Sequence, residues 1–175
     1  MRWNEIGDMT CSVARTLSVV GDRWTLMILR DCFLGTRRFD AFQSQLGATP
    51  HVLTDRLRKL VAAGVLERVP YQARPLRHEY RLTEMGLDLY PVVASLLRFG
   101  DRWLAGEAGA PLELHHRRCG HKSEPVLGCS ACGDPIDPRE MEVRPGPALR
   151  ALGLTDAAFS RDGRHQRSND PRPKE

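Results

Sequence analysis

A chain of 175 residues with 41% hydrophobic and 27% charged content is long enough for one ordinary domain with an appendage, and too apolar for a disordered polymer. It has no run of about 18 apolar residues, which excludes a transmembrane helix and with it a membrane partner of that kind. The start, MRWNEIGDMTCSVARTL, lacks the apolar stretch and small-residue cleavage site of an export signal, so a cytoplasmic location is expected.

The formal net charge of +4 is unevenly placed. Residues 1–105 hold 15 of the 26 Lys+Arg and 11 of the 22 Asp+Glu, and residues 106–175 hold the balanced remainder. Between residues 51 and 81, Arg56, Arg58, Lys59, Arg68, Arg74, Arg77 and Arg81 stand against three acids. That placement suits a polyanionic partner. The five cysteines are an odd number, which argues against a disulfide framework.

In chain order, CSVARTLSVVG reads as a short helix with Val13, Leu17 and Val20 on one face and Gly21 as its cap. DRWTLMILRDCFLG restarts at Asp22, a good N-cap. Its Leu26, Ile28, Leu29, Cys32 and Phe33 leave little polar face, so it should be the most buried helix. RRFDAFQSQLG places Phe39, Phe42 and Leu46 together and stops at Gly47. After a brief turn, Thr49 can cap a fourth helix with Pro50 at its first position, where a missing N–H costs nothing. Leu53, Leu57 and Leu60 form its apolar stripe, and Gly64 ends it. Extended segments over 65–71 and 78–83, joined by QARPLR, read as a hairpin.

Thr83 then caps a long helix expected to reach Leu104. It carries two apolar rows: Leu87, Tyr90, Ala94, Leu97 and Leu104, and Leu89, Val92, Leu96, Phe99 and Trp103. One row docks the helix on its own domain. The second needs another surface, either the same helix of a second subunit, giving a homodimer, or the C-terminal segment of the same chain. The expected organisation is 1–106 as the helical and hairpin domain, 107–149 as a small Cys/His-rich segment, and 150–175 as a disordered tail that has one possible apolar turn, ALGLTDAAF, and beyond it too few apolar groups to bury.

Three helices, a tight turn, a fourth helix, a two-stranded hairpin and a long helix make the order of a winged helix-turn-helix. The fold class is mainly α with a small β-hairpin and a long C-terminal dimerisation helix. In this motif the helix after the turn enters the major groove of duplex DNA. At about 100° per residue, His51, Asp55, Arg58 and Ala62 lie opposite the leucine stripe, flanked by Thr54 and Lys59. His51, Thr54, Asp55 and Arg58 are therefore the candidate base readers. Arg56, Arg58 and Lys59 are candidate phosphate holders, and Thr49 with the free N–H groups at the helix start can hold a further phosphate. Arg74 and Arg77 in the hairpin loop can reach the adjacent minor groove or its phosphates.

The stretches CSVARTLSVVGDRWTLMILRDCFLGTRRFDAFQSQLG, LTDRLRKLVAAGVLER and YRLTEMG resemble the HxlR-type regulators, a winged-helix family related to MarR. The resemblance covers roughly residues 10–105. It implies a homodimer that binds pseudo-palindromic DNA and regulates transcription, with the helix after YRLTEMG pairing the subunits. Cys11 lies where many members carry an N-terminal cysteine, which in some senses oxidants or electrophiles and in many others is simply buried; a helix N-terminus favours the thiolate that sensing needs. Cys32, on the apolar second helix, reads as core.

In HHRRCGHKSEPVLGCSACG, the candidates Cys119, His121, Cys129 and Cys132 have the ligand types and pairing of a structural tetrahedral zinc site. His115 or His116 could replace His121. A redox Cys-x2-Cys pair competes, without the βαβ surroundings it normally has. The rival to a DNA-binding regulator is a winged-helix protein-interaction module with a zinc-stabilised docking segment. An enzyme is not expected, since no nucleophile–base pair or phosphate-binding loop is present. Room for a small-molecule effector is expected between the long helix and the second helix.

Overall fold

The computed structural model describes residues 3–159, and the chain divides into two compact units, residues 1–126 and 127–175. The first unit opens with a 3-10 turn, Trp3–Asp8, and four helices: α1 (Ser12–Val20), α2 (Arg23–Phe33), α3 (Phe39–Leu46) and α4 (Pro50–Ala62). A two-stranded antiparallel hairpin follows, β1 (Leu66–Ala73) and β2 (Leu76–Leu82), and then two more helices, α5 (Glu84–Leu87) and α6 (Tyr90–Trp103).

The core is built where α2, α3, α4 and the base of β1 meet. Ile28, Leu29, Phe42, Leu53, Leu57, Leu60, Val65 and Leu66 are buried in one cluster with Val20. Fully burying each such side chain is worth roughly 1.5–3 kcal/mol relative to exposure, before entropy is counted. As its composition requires, α2 sits at the centre, with Ile28 and Leu29 at 0% exposure. Asp22 caps it by accepting from the N–H groups of Trp24 and Thr25. In α1 the inner face is set by Ala14 and Val20, whereas Val13 and Leu17, expected inside, are exposed.

The hairpin is tighter than QARPLR suggests. Its strands run up to Ala73 and from Leu76, so only Arg74 and Pro75 make the turn, and Arg77 pairs with Gln72 inside the ladder. The Arg74–Pro75 peptide is cis. A register shift between Pro70 and Gln72 puts the strand proline at an irregularity, where its missing donor is tolerated. A third short segment joins the sheet: Arg38 bridges Glu79, and the N–H of Tyr80 donates to the Arg37 carbonyl at 2.8 Å.

The single long helix is corrected by the structure. Thr83 caps as expected, its hydroxyl accepting from the Gly86 N–H, but α5 lasts one turn and α6 starts afresh at Tyr90 with Pro91 in its first turn. Pro91 has no N–H for the Leu87 carbonyl, and its ring collides with that carbonyl in a continuous helix, so the break falls in the turn before it. The 14 residues of α6 do not make a long dimerisation helix. The rows change with the break. Leu89 and Val93 pack against the core and Ala94 is buried, while Leu87 and Leu104 are exposed. The outer row of Val92, Leu96, Phe99 and Trp103 is exposed as a continuous stripe.

Gly86 shows why α5 is placed where it is. A Cβ there would run into the Val65 carbonyl oxygen, so only glycine lets this turn close over the start of the hairpin.

The second unit contains α7 (Pro147–Ala151) and a 3-10 turn at Asp156–Phe159. Helix α7 begins before the segment expected to be disordered and ends just inside it, and the 3-10 turn falls within ALGLTDAAF, the stretch expected to hold one apolar turn; from residue 160 onward the expectation of disorder lies outside the described residues. An isolated bridge, Gly128 to Pro135, closes the loop that holds Cys129 and Cys132.

The zinc site is also corrected. Among the described residues no group of three or more His, Cys, Asp or Glu is arranged to hold a metal ion. The two cysteine turns fold as separate local structures, Cys119 and His121 in the first unit, Cys129 and Cys132 in the second. Cys119 Sγ lies 3.3 Å from His116 Nδ1, and the His121 carbonyl accepts from the His116 N–H. In the other turn the backbone N–H groups of Cys132 and Ala131 donate toward Cys129 and hold its thiol below its ordinary value. The Cys-x2-Cys spacing thus makes a turn with N–H groups aimed at sulfur. A pair of ligands in such a turn is not a tetrahedral set.

Candidate nucleic-acid interface

The turn between α3 and α4 is three residues long. Gly47 takes the left-handed conformation at φ 62°, Ala48 is buried, and Thr49 caps α4 by accepting from the Val52 N–H at 3.4 Å. Pro50 follows in the first turn. Three leucines, Leu53, Leu57 and Leu60, then anchor α4 with at most 1% exposure. This fixes which face the helix must turn outward: His51, Thr54, Arg58, Lys59 and Ala62 are all exposed. The outer face is the one the leucine spacing implies, and it begins at a helix N-terminus whose partial positive charge favours an anion.

Two of the expected site residues sit differently. Asp55 is only partly exposed and is surrounded by cations. Its Oδ1 accepts from Arg58 Nη2 at 3.0 Å, and its Oδ2 lies 3.1 Å from Arg56 Nη1 and 2.9 Å from Lys59 Nζ. Hydrogen bonds from Lys59 and Arg58, with the charges of Lys59 and Arg56, hold its carboxyl below the usual carboxylate range. Arg56 turns inward. Its Nε lies 3.0 Å from Asp22 Oδ1, an ionic contact without hydrogen-bond alignment, and this is the oxygen that caps α2. Arg56 therefore ties α4 to the start of α2, and its charge is already met by two carboxylates.

The wing brings a second set of cations. Arg68, Arg74 and Arg77 are exposed on the hairpin. Arg81 is not free charge: its Nη2 lies 2.6 Å from Glu79 Oε1. The bulge is braced from outside by Arg38, whose guanidinium lies 4.5 Å from the centre of the Tyr71 ring, a cation–π contact. The Asp22–Arg56 tie and the Arg38 brace both join residues far apart in sequence, and no local pattern could have revealed them. Glu79 and Arg81, two apart on one strand, share a face, and that signal was available.

Cys11 occupies the N-cap position of α1 and is exposed. Cys32 is the opposite case: burial, with the charge of neighbouring Asp31, pushes its thiol up to about 12. A cavity of about 430 Å³ is lined by Leu97, Arg98, Asp101 and Arg102 of α6 and by residues between Ala110 and Pro125. No helix among the described residues is long and apolar enough to cross a membrane.

A family model described as HxlR-like helix-turn-helix matches residues 19–108. Rv3095 of Mycobacterium tuberculosis (strain H37Rv), described as an uncharacterized HTH-type transcriptional regulator, is 46% identical over 140 residues, covering 80% of this chain and 89% of that one. The crystal structure of PA1607, described as a candidate transcription factor, is similar with a TM-score of 0.73 and 32% identity, over 80% of this chain and 98% of that one. The redox regulator HypR, in its oxidized form, is similar with a TM-score of 0.50 and 34% identity, over 53% of this chain and 96% of that one.

Proposed function

The chain belongs to the HxlR-like helix-turn-helix family and is a sequence-specific DNA-binding transcriptional regulator, not an enzyme, and from that premise we propose how it engages DNA. It acts as a homodimer on an operator of two half-sites, one α4 in each of two successive major grooves. His51, Thr54 and Arg58 face the base edges. Arg58, Lys59, Arg74 and Arg77 meet phosphates, and the Thr49-capped start of α4 meets another. The observation that carries this reading is α4 itself: three buried leucines on one face, a polar and basic face opposite, a three-residue turn before it and a basic hairpin after it.

Dimerisation is supported by the outer stripe of α6. Phe99 and Trp103 are 59% and 64% exposed, and with Val92 and Leu96 they form an apolar row that water covers badly. A second copy of the chain seated on this row would bury it and fix the spacing of the two α4 helices. The likeness to HypR, a redox regulator, supports an oxidant response, and Cys11 is the thiol this reading assigns to it. A small-molecule effector has room in the cavity between α6 and residues 110–125, which takes no lining residue from α2, the helix expected to share it. A place of action in the cytoplasm, where the genome lies, goes with the same reading.

The test is binding of fluorescent duplexes at about 0.15 M salt. The reading expects a preference for a two-half-site sequence over random duplex, and affinity falling steeply as salt rises. The double variant Arg74→Glu/Arg77→Glu is expected to abolish measurable binding without altering the far-UV circular dichroism. Unchanged DNA binding in that variant would remove the wing from the interface, and absence of any sequence preference in the wild type would end the reading.

A further inference from the structure

We propose that Asp55 is a latch on the recognition helix: it holds Arg58 and Lys59 against α4 in the free protein, so that random duplex must take these cations from a carboxylate before binding. The inference rests on the DNA-binding reading above and gives Asp55 a role other than contact with a base.

The geometry separates Asp55 from its neighbours. Both of its oxygens are engaged, by three cations at 2.9–3.1 Å, which take three of the roughly four acceptor positions of a carboxylate and leave little for a base edge while the pairs hold. Asp55 is also anchored from beneath. Arg56 bonds it and reaches Asp22, which is fixed by the N–H groups it caps. The side chains of Asp55 and Arg56 are each 26% exposed, against 76% for Arg58 and 60% for Lys59. The carboxylate stays in place while the two outer cations are free to leave on their long stems.

This arrangement acts on specificity. Non-specific binding rests on counterion release by cations that meet phosphate. A lysine or arginine that leaves a carboxylate of its own chain for a phosphate frees a counterion from the DNA, but the bared carboxylate takes one up, so the net release is small. Random duplex offers phosphates only, and must meet the loss of both ion pairs from that. An operator adds base contacts, such as a bidentate arginine on guanine, which make the exchange favourable. Asp55 therefore weakens binding to random sequence more than binding to the operator, a means of discrimination by penalising the wrong partner.

The experiment compares wild type, Asp55→Asn and Asp55→Ser on random duplex and on a selected operator across a salt series. The second variant keeps the outcome readable if one of them folds poorly, which thermal unfolding reports. Removing the latch should raise affinity for random duplex about threefold to thirtyfold and steepen the salt slope by about one to two, at about 0.9 per freed cation. Operator affinity should change by less, so the ratio of the two falls. In an Arg58→Gln/Lys59→Gln background the Asp55→Asn effect on random duplex should vanish. An unchanged affinity and slope on random duplex overturns the latch. So does an effect that persists in the double-Gln background, or a loss of operator affinity confined to one base position, which would mark Asp55 as a base reader. A wild type that prefers no duplex overturns the DNA-binding reading itself, and the latch with it.

Discussion

Helices α4 and α6 are alike on their inner faces and opposite on their outer ones. Each lays aliphatic side chains on the core at helical spacing, Leu53, Leu57 and Leu60 from one, Val93 and Ala94 from the other with Leu89 at its N-cap. Outward, α4 shows His51, Thr54, Arg58 and Lys59, whereas α6 shows Val92, Leu96, Phe99 and Trp103. The inner rows hold the fold, and their chemistry is interchangeable. The outer rows select partners: a face of cations and hydrogen-bonding groups suits a hydrated polyanion, and a face of large apolar groups suits a surface of its own kind.

The largest effect should come from breaking an inner row. Leu57 is 0% exposed, and Leu57→Ala removes buried methyl groups from a site where α2 and α4 meet. It should cost about 2–5 kcal/mol, read as a lower urea midpoint with an unchanged slope. DNA binding should fall only as far as the folded fraction falls, which separates holding the fold from meeting the partner.

A smaller effect on folding and a larger one on assembly are expected at the outer row of α6. Phe99→Asp places a charge in the middle of the apolar stripe. It should weaken self-association roughly thirtyfold or more, the usual scale for an aromatic anchor at an interface, with the helix content of the chain retained. Sedimentation across a concentration series reads the first and circular dichroism the second. Operator affinity should fall with dimerisation, while binding to a single half-site, which needs only α4 and the wing, should persist. A dimer that survives Phe99→Asp moves the subunit contact away from α6.

The two helices also differ in how far sequence alone describes them. For α4 every determinant is local: a Thr-Pro start, leucines at helical spacing and a glycine after the end, so its bounds and outward face were legible. In α6 the apolar positions suggested one continuous helix, and Pro91 inside that pattern decided otherwise. The row that docks is consequently one built on Val93, not on Leu87 and Leu104. Charge was the hardest feature to read. A count of cations between residues 51 and 81 treats Arg56 and Arg81 as free, yet Asp22 and Glu79 neutralise them. The Asp22 pairing depends on α2 and α4 lying side by side. The cysteine spacing was legible as two turns and misleading as a metal site, since convergence of four ligands is a tertiary property.

The smallest effect concerns α2, which carries both helices. Asp22 at its start ties down α4 through Arg56, and near its end Phe33 meets Tyr90 of α6 edge-on, ring centres 5.1 Å apart. Cys32, one residue before Phe33, packs against the core, its thiol pushed up to about 12 by burial and by Asp31. In the unfolded chain the same thiol loses its proton near 9, so over this range the folded state holds a proton that the unfolded state has released. Stability therefore declines as pH rises from about 9 to about 12, and is unaffected by this group below about 9. Tyrosines and lysines titrate in the same window, so the expected observation is a difference. Cys32→Ala should flatten the alkaline decline relative to wild type, at the cost of a small cavity that lowers stability equally at every pH. Residue-resolved labelling at pH 8 should agree, with the exposed Cys11 modified readily in the folded protein and the partly buried Cys32 much more slowly. Labelling of Cys32 in the folded state at the rate of Cys11 would mean that the α2–α6 contact opens readily, and that the junction beneath the apolar stripe is looser than that beneath α4.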